Sequence, residues 1–137
     1  MAELKTILCV EDDPDIQAIT LLALEQIGGF RVVSCDSGLE ALRIVEEVMP
    51  DIALLDVMMP DPDGVATYQA MKKLPKARNV PVIFITAKIQ KHEVESYLAM
   101  GAIGVIPKPF DAMTLADEVR SMWAQAEEMK ATGNKHA

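Results

Sequence analysis

The run Lys5-Thr6-Ile7-Leu8-Cys9-Val10-Glu11-Asp12-Asp13-Pro14 decides how the rest of the chain is read. Ile7 to Val10 are apolar without alternation, so the strand they predict is covered on both faces. It stops at three acidic residues and a proline. Proline suits the first turn of a helix, and acidic residues there match the helix dipole. Asp13 or Asp15 is expected to cap that helix. Its apolar positions Ile16, Ile19, Ala23 and Ile27 recur at helical spacing, and Gly28-Gly29 ends it.

The same unit recurs outward from there. Phe30 to Ser34 reads as a second strand, followed by a helix opened by Ser37-Gly38-Leu39-Glu40 in capping-box register, with Leu39, Leu42 and Val45 on its stripe. Asp51 to Asp56 is a third strand, and a helix from about Val65 to Lys73 follows its acidic, proline-containing loop. Val80 to Ile85 is a fourth strand, with a helix over Gln90 to Met100. Ile103 to Ile106 is a fifth, and the last helix spans Asp111 to about Met129. Five such units predict an α/β fold: a parallel sheet with helices on both faces, a three-layer sandwich with right-handed crossovers. One domain over residues 1–129 is expected, with 130–137 as a flexible tail.

Composition narrows the partners. The 137 residues are 50% hydrophobic but only 4% aromatic, so the core must be mostly aliphatic. With 21 acidic and 13 basic residues the net charge is −8. That argues against direct DNA binding and against an anionic membrane surface. No apolar run approaches the roughly 18 residues of a spanning helix, and the start of the chain lacks a signal-type apolar stretch, so a cytoplasmic protein without membrane insertion is expected. Cys9 and Cys35 lie in or beside apolar runs and read as buried, reduced thiols.

Chemistry in such a sheet belongs at the carboxyl ends of the strands. The first strand ends in Glu11-Asp12-Asp13, the third in Asp56, the fourth in Thr86-Ala87 and the fifth in Lys108-Pro109. Taken singly, each has an ordinary explanation as a cap, a loop acid, a strand-end hydroxyl or a solvated lysine. Together they are what phosphoryl chemistry requires. Crowded carboxylates repel one another, and Mg²⁺, a hard oxygen-seeking ion, relieves this. A carboxylate such as Asp56 can then attack a phosphoryl group. Lys108 supplies charge, Thr86 a hydroxyl donor and Ala87 room for the group.

Ile7-Leu8-Cys9-Val10-Glu11-Asp12-Asp13, Leu55-Asp56-Val57-Met58-Met59-Pro60 with Asp63-Gly64, Ile85-Thr86-Ala87 and Lys108-Pro109-Phe110 together resemble the receiver domain of two-component response regulators. The match covers about residues 5 to 127. It implies a flavodoxin-like sheet in the order 2-1-3-4-5 with five helices. It also implies that Asp56 accepts a phosphoryl group from a histidine kinase or histidine phosphotransfer protein. Glu11, Asp12 and Asp56 would hold Mg²⁺, with the Met58 backbone carbonyl as a further ligand. Thr86 and Lys108 would contact the phosphoryl group, and the Lys108-Pro109 bond would be cis. The protein would be a stand-alone regulator of the chemotaxis type, switching its affinity for a protein partner in a phosphorelay and catalysing nothing beyond its own phosphorylation and dephosphorylation.

One position departs from the family. The switch residue three before the lysine is usually Tyr or Phe, and here it is Val105, which has no ring to move when Thr86 does. Switching is therefore expected to rest more on the loop and helix after Thr86. Met58 and Lys88 sit where this family tunes phosphoryl lifetime. The face formed by the fourth helix, fifth strand and fifth helix is the expected output surface, with His92, Tyr97, Trp123 and Met129 as candidate contacts. Two rivals remain: an aspartyl-phosphate phosphatase, disfavoured because Met58 stands where its acid/base Asp would be, and a phosphate-independent scaffold.

Overall fold

Strands that are apolar on both faces need a neighbour above, below and to each side, and a parallel sheet between helices meets that demand. In the computed structural model, which describes residues 3–133 with side chains through 130, β1 (Thr6–Val10) lies between β2 (Arg31–Cys35) and β3 (Ile52–Asp56). β4 (Val82–Thr86) and β5 (Gly104–Pro107) complete five parallel strands in the order β2-β1-β3-β4-β5. The helices are α1 (Pro14–Leu21), α2 (Gly38–Val48), α3 (Gly64–Met71), α4 (Lys91–Met100) and α5 (Leu115–Gly133). The flavodoxin-like, three-layer arrangement read from the sequence is therefore the one observed.

The period of two along each strand divides the core. Leu8, Val10, Leu55 and Phe84 pack toward Ala41 and Val45 of α2, Tyr68 and Met71 of α3, and Tyr97 of α4. Ile7, Cys9, Leu54, Ile83 and Ile106 pack toward Ala23, Leu24, Leu115 and Val119. Cys9 and Cys35 thus belong to opposite faces, and both thiols are free and buried. Burial raises the pKa of each, well above the usual thiol range for Cys9 and up to about 12 for Cys35, so neither is a reactive thiolate.

The first helix differs from its expected stripe. Ile19 and Ile27 are exposed, Ala23 is buried as expected, and Thr20 and Leu24 are buried beside it. Two physical reasons account for this. The Thr20 hydroxyl donates to the Ile16 carbonyl at 2.7 Å, which lets a polar residue occupy the buried face. Beyond Leu21 the backbone widens into a π-helical segment, Leu22–Ile27, and the extra residue per turn rotates Ile27 outward. In α2, Ala41 and Val45 are buried and Leu39 is exposed. The last helix begins four residues later than expected and continues to Gly133. Residues 130–133, expected to be part of a flexible tail, are helical, and 134–137 lie outside the described residues.

Local capping follows the sequence. Asp13 accepts from the amides of Asp15 and Ile16 and starts α1. Ser37 accepts from the Glu40 amide, while the Glu40 carboxylate reaches back to the Asp36 amide, one residue earlier than a standard capping box. Gly64 opens α3 under the end of β3. A Cβ there would stand 2.3 Å from the Asp56 carbonyl oxygen, a backbone atom with nowhere to go. Gly64→Ala is therefore expected to destabilise the fold by about 1–3 kcal/mol through overpacking, read as a lower urea midpoint with an unchanged m-value.

Candidate functional site

Three strand ends converge at the carboxyl edge. The Glu11 amide donates to the Cys35 carbonyl at 3.0 Å, which carries the β1–β2 pairing one residue past Val10. Asp56 ends β3 beside Ile85, and the next amide, Val57, donates to the Ile85 carbonyl. Thr86 ends β4, and its carbonyl accepts from the Lys108 amide at 3.0 Å, which places the lysine at the same edge.

The side chains close on one another. Lys108 Nζ lies 3.0 Å from Asp56 Oδ1 and 3.1 Å from Glu11 Oε1. The two acids are almost fully buried, with side-chain exposures of 3% for Asp56 and 7% for Glu11. Met58 donates its amide to Asp56 Oδ1 at 3.2 Å, and Asp13 donates its amide to Glu11 Oε2 at 3.1 Å. Glu11, Asp12 and Asp56 each offer a carboxylate oxygen within 4.8 Å of the others, and Asp12 alone of the three is exposed. One ammonium among three carboxylates leaves the crevice short of positive charge. Its donor set is oxygen only, of a spacing a small hard cation can bridge.

Burial pushes the Glu11 carboxyl up to about 7, and the neighbouring Asp56 adds to the rise against the opposing pull of the Asp13 amide and Lys108. Burial alone would lower Lys108, but its hydrogen bonds to Asp56 and Glu11 outweigh that and raise it.

Other expected positions fall elsewhere. Thr86 is fully buried, and its Oγ1 accepts from the Lys88 amide at 3.0 Å, so its own proton remains available to donate. The Met58 side chain points outward, 58% exposed. Val105 pairs with Phe84 and packs into the core one layer below the crevice. The Lys108-Pro109 bond is cis, and so is Asp61-Pro62, which the sequence did not single out. Tyr97 is buried against Phe84, with ring centroids 5.2 Å apart, so it is not a surface contact. Trp123 is half-buried against the other core layer, while His92 and Met129 are exposed.

Three residues carry no signal in the sequence. Gln17, beside the site, donates its side-chain amide to the Glu11 carbonyl at 3.1 Å. Tyr68 Oη and Lys72 Nζ, away from the site, both donate to the Met100 carbonyl, at 3.3 and 3.4 Å, and pin the end of α4 to α3. None of the three belongs to a motif, and only the folded geometry brings them to their acceptors.

A doubly wound parallel sheet with an acidic crevice and a paired lysine at its carboxyl edge defines a class of α/β proteins that bind at a topological switch point. Comparison with known proteins narrows the class. Residues 7–120 match the family model of the response regulator receiver domain, and the chain belongs to that family. It is 39% identical over 122 residues to the transcriptional regulatory protein CseB of Streptomyces avermitilis, covering 89% of this chain and 50% of that protein. The chain spans about half the length of the curated relatives it matches. In structure it is similar to the chemotaxis protein CheY4 of Vibrio cholerae, with a TM-score of 0.80 at 24% identity over 88% of this chain and 99% of that one. It is also similar to the receiver domain of the sensor histidine kinase PA1611 of Pseudomonas aeruginosa, with a TM-score of 0.77 at 28% identity over 89% and 99%. That structure has a magnesium ion coordinated in its active-site cleft.

The raised Glu11 pKa fixes a sign. Between about 4.5 and 7 the folded protein keeps a proton that the unfolded chain has released. Stability from this group is complete at acid pH and is lost as pH rises through that window. Without divalent cations, the melting temperature of the wild type relative to Glu11→Gln should fall from pH 4.5 to 7.5. A difference that stays flat or rises would contradict the assignment.

Proposed function

We propose that the chain accepts a phosphoryl group on Asp56 and uses it to change its affinity for a protein partner. The observation that carries this reading is the buried Asp56 carboxylate, paired to Lys108 at 3.0 Å and grouped with Glu11 and Asp12 at one strand edge. The phosphodonor is a histidine kinase or histidine phosphotransfer protein. An oxygen of Asp56 attacks phosphorus, the bond to the donor nitrogen breaks, and an acyl phosphate forms. Lys108 is held to transfer its pairing to a phosphoryl oxygen, and Thr86 can donate its hydroxyl proton to another.

Glu11, Asp12 and Asp56, with the Met58 carbonyl, would hold Mg²⁺. The fit rests on the oxygen-only donor set and its excess of negative charge. Bound there, Mg²⁺ supplies charge neutralisation on the phosphoryl oxygens. The cytoplasmic location and the absence of direct DNA contact belong to the same proposal. The net charge of −8 supports the last of these, and no helix among the described residues is long and apolar enough to cross a membrane.

Output is proposed to leave through α4, β5 and α5. Leu98, Ala102, Ile103, Met122 and Met129 line a cleft of about 570 Å³ there. With Val105 in the usual aromatic position, α4 itself is the moving part of this proposal. Its N-terminal end has no side-chain cap, and the preceding segment 87–90 is exposed. Its other end is tied to Tyr68 and Lys72. A helix pinned at one end and free at the other can pivot, carrying Tyr97 against Phe84.

The test is labelling by acetyl phosphate, followed by intact-protein mass. Wild type with Mg²⁺ should gain one phosphoryl group. Asp56→Asn, and wild type with excess EDTA, should gain none. Labelling of the Asn variant at the wild-type rate would remove Asp56 from its role, and rapid turnover of a generic phosphoester would restore the phosphatase reading.

A further inference from the structure

The acidic turn after β1 is tied down almost everywhere. The Glu11 amide is bonded to Cys35, its carboxylate to the Asp13 amide and Lys108, and the Asp13 carboxylate to the first amides of α1. The Glu11 carbonyl, which belongs to the peptide unit leading into Asp12, is bonded to none of these groups. Its partner is Gln17 Nε2, 3.1 Å away and six residues on.

The identity of this contact follows from its chemistry. A carbonyl only accepts, so the amide nitrogen of Gln17 must face it. Gln17 is the fourth residue of α1, and its own amide closes the first turn on the Asp13 carbonyl at 2.9 Å. Helical side chains lean toward the N-terminus, which carries the Gln17 side chain back over that turn to the Glu11 carbonyl.

Three carboxylates within 4.8 Å repel, and rotation of the peptide between Glu11 and Asp12 is a backbone route that would carry Asp12 outward. Asp12 is exposed, and among the described residues its carboxylate makes none of the hydrogen bonds that hold Glu11. The Gln17 contact is what resists that rotation. We propose that Gln17 is a positioning residue for the cation site: by holding the Glu11 carbonyl it keeps the Asp12 carboxylate turned toward Asp56 and preserves the repulsion that a divalent cation relieves. The inference rests on the Mg²⁺ reading of the site given above.

The test uses Gln17→Met, close in length but without a donor, and Gln17→Lys, which restores one. Mg²⁺ binding is followed by calorimetry and by amide shifts of residues 11 to 13, and thermal stability is measured in EDTA. Gln17→Met should bind Mg²⁺ about three- to tenfold more weakly, in line with one lost hydrogen bond. Its EDTA melting temperature should change little, because relaxed repulsion offsets the lost bond. In the metal-free spectrum Gln17→Lys should return the residue 12 amide to its wild-type position. A variant that melts earlier in EDTA yet binds Mg²⁺ like wild type would show a merely structural role and overturn the proposal. If wild type itself fails to bind Mg²⁺, the underlying reading of the site fails. If wild type binds and Gln17→Met binds equally well, only the role of Gln17 fails.

Discussion

Negative charge is crowded at one edge of this sheet, and much of the structure serves to keep it there. Glu11 and Asp56 are buried at the ends of neighbouring strands, where water cannot screen them, and Asp12 stands beside them. Among the described residues, the Lys108 ammonium is the one cation paired with the buried acids. Such an arrangement persists because the two buried carboxylates are each held by a backbone amide, Glu11 by that of Asp13 and Asp56 by that of Met58. The parallel order β2-β1-β3-β4-β5 brings the strand ends together, and Gly64 lets α3 start directly beneath Asp56. The result is an acidic, oxygen-lined crevice paired to one lysine, the arrangement on which the proposed cation and phosphoryl binding rests.

The fold was legible because its signals are dense and redundant. Ile7 to Val10, Ile52 to Leu55 and Val82 to Ile85 are apolar on both parities, and only a covered parallel strand fits that pattern. The site was legible for a related reason, since Glu11, Asp12, Asp56, Thr86 and Lys108 all fall at strand ends. What escaped were features that apolar spacing does not encode. The π-helical turn after Leu21 changes which residues face inward, and local spacing cannot reveal it. Thr20 is buried because a helix carbonyl satisfies its hydroxyl, a contact composition does not report. For Tyr97 the sequence left two readings, an output contact or a partly buried core residue, and packing on the Phe84 ring selects the second.

The same aromatic packing bears on how a signal would leave the site. Val105 gives the layer beneath Thr86 no ring, while Phe84 and Tyr97 place two rings there from β4 and α4. The Tyr68 ring meets Phe84 edge-on at 5.5 Å, and its hydroxyl holds the end of α4. In the proposal above, the mobile aromatic role expected of a β5 side chain passes to Tyr97 on α4. Such a helix would couple the loop after Thr86 to the cleft between α4 and α5 without any side chain at position 105 changing place.

The most direct measurement of the central claim is an anomalous difference map from crystals grown with Mn²⁺ as a stand-in for Mg²⁺. The account predicts one strong peak in the crevice that Glu11, Asp12 and Asp56 would line. A crevice without a peak, or a peak only at the exposed acids of other loops, would contradict it.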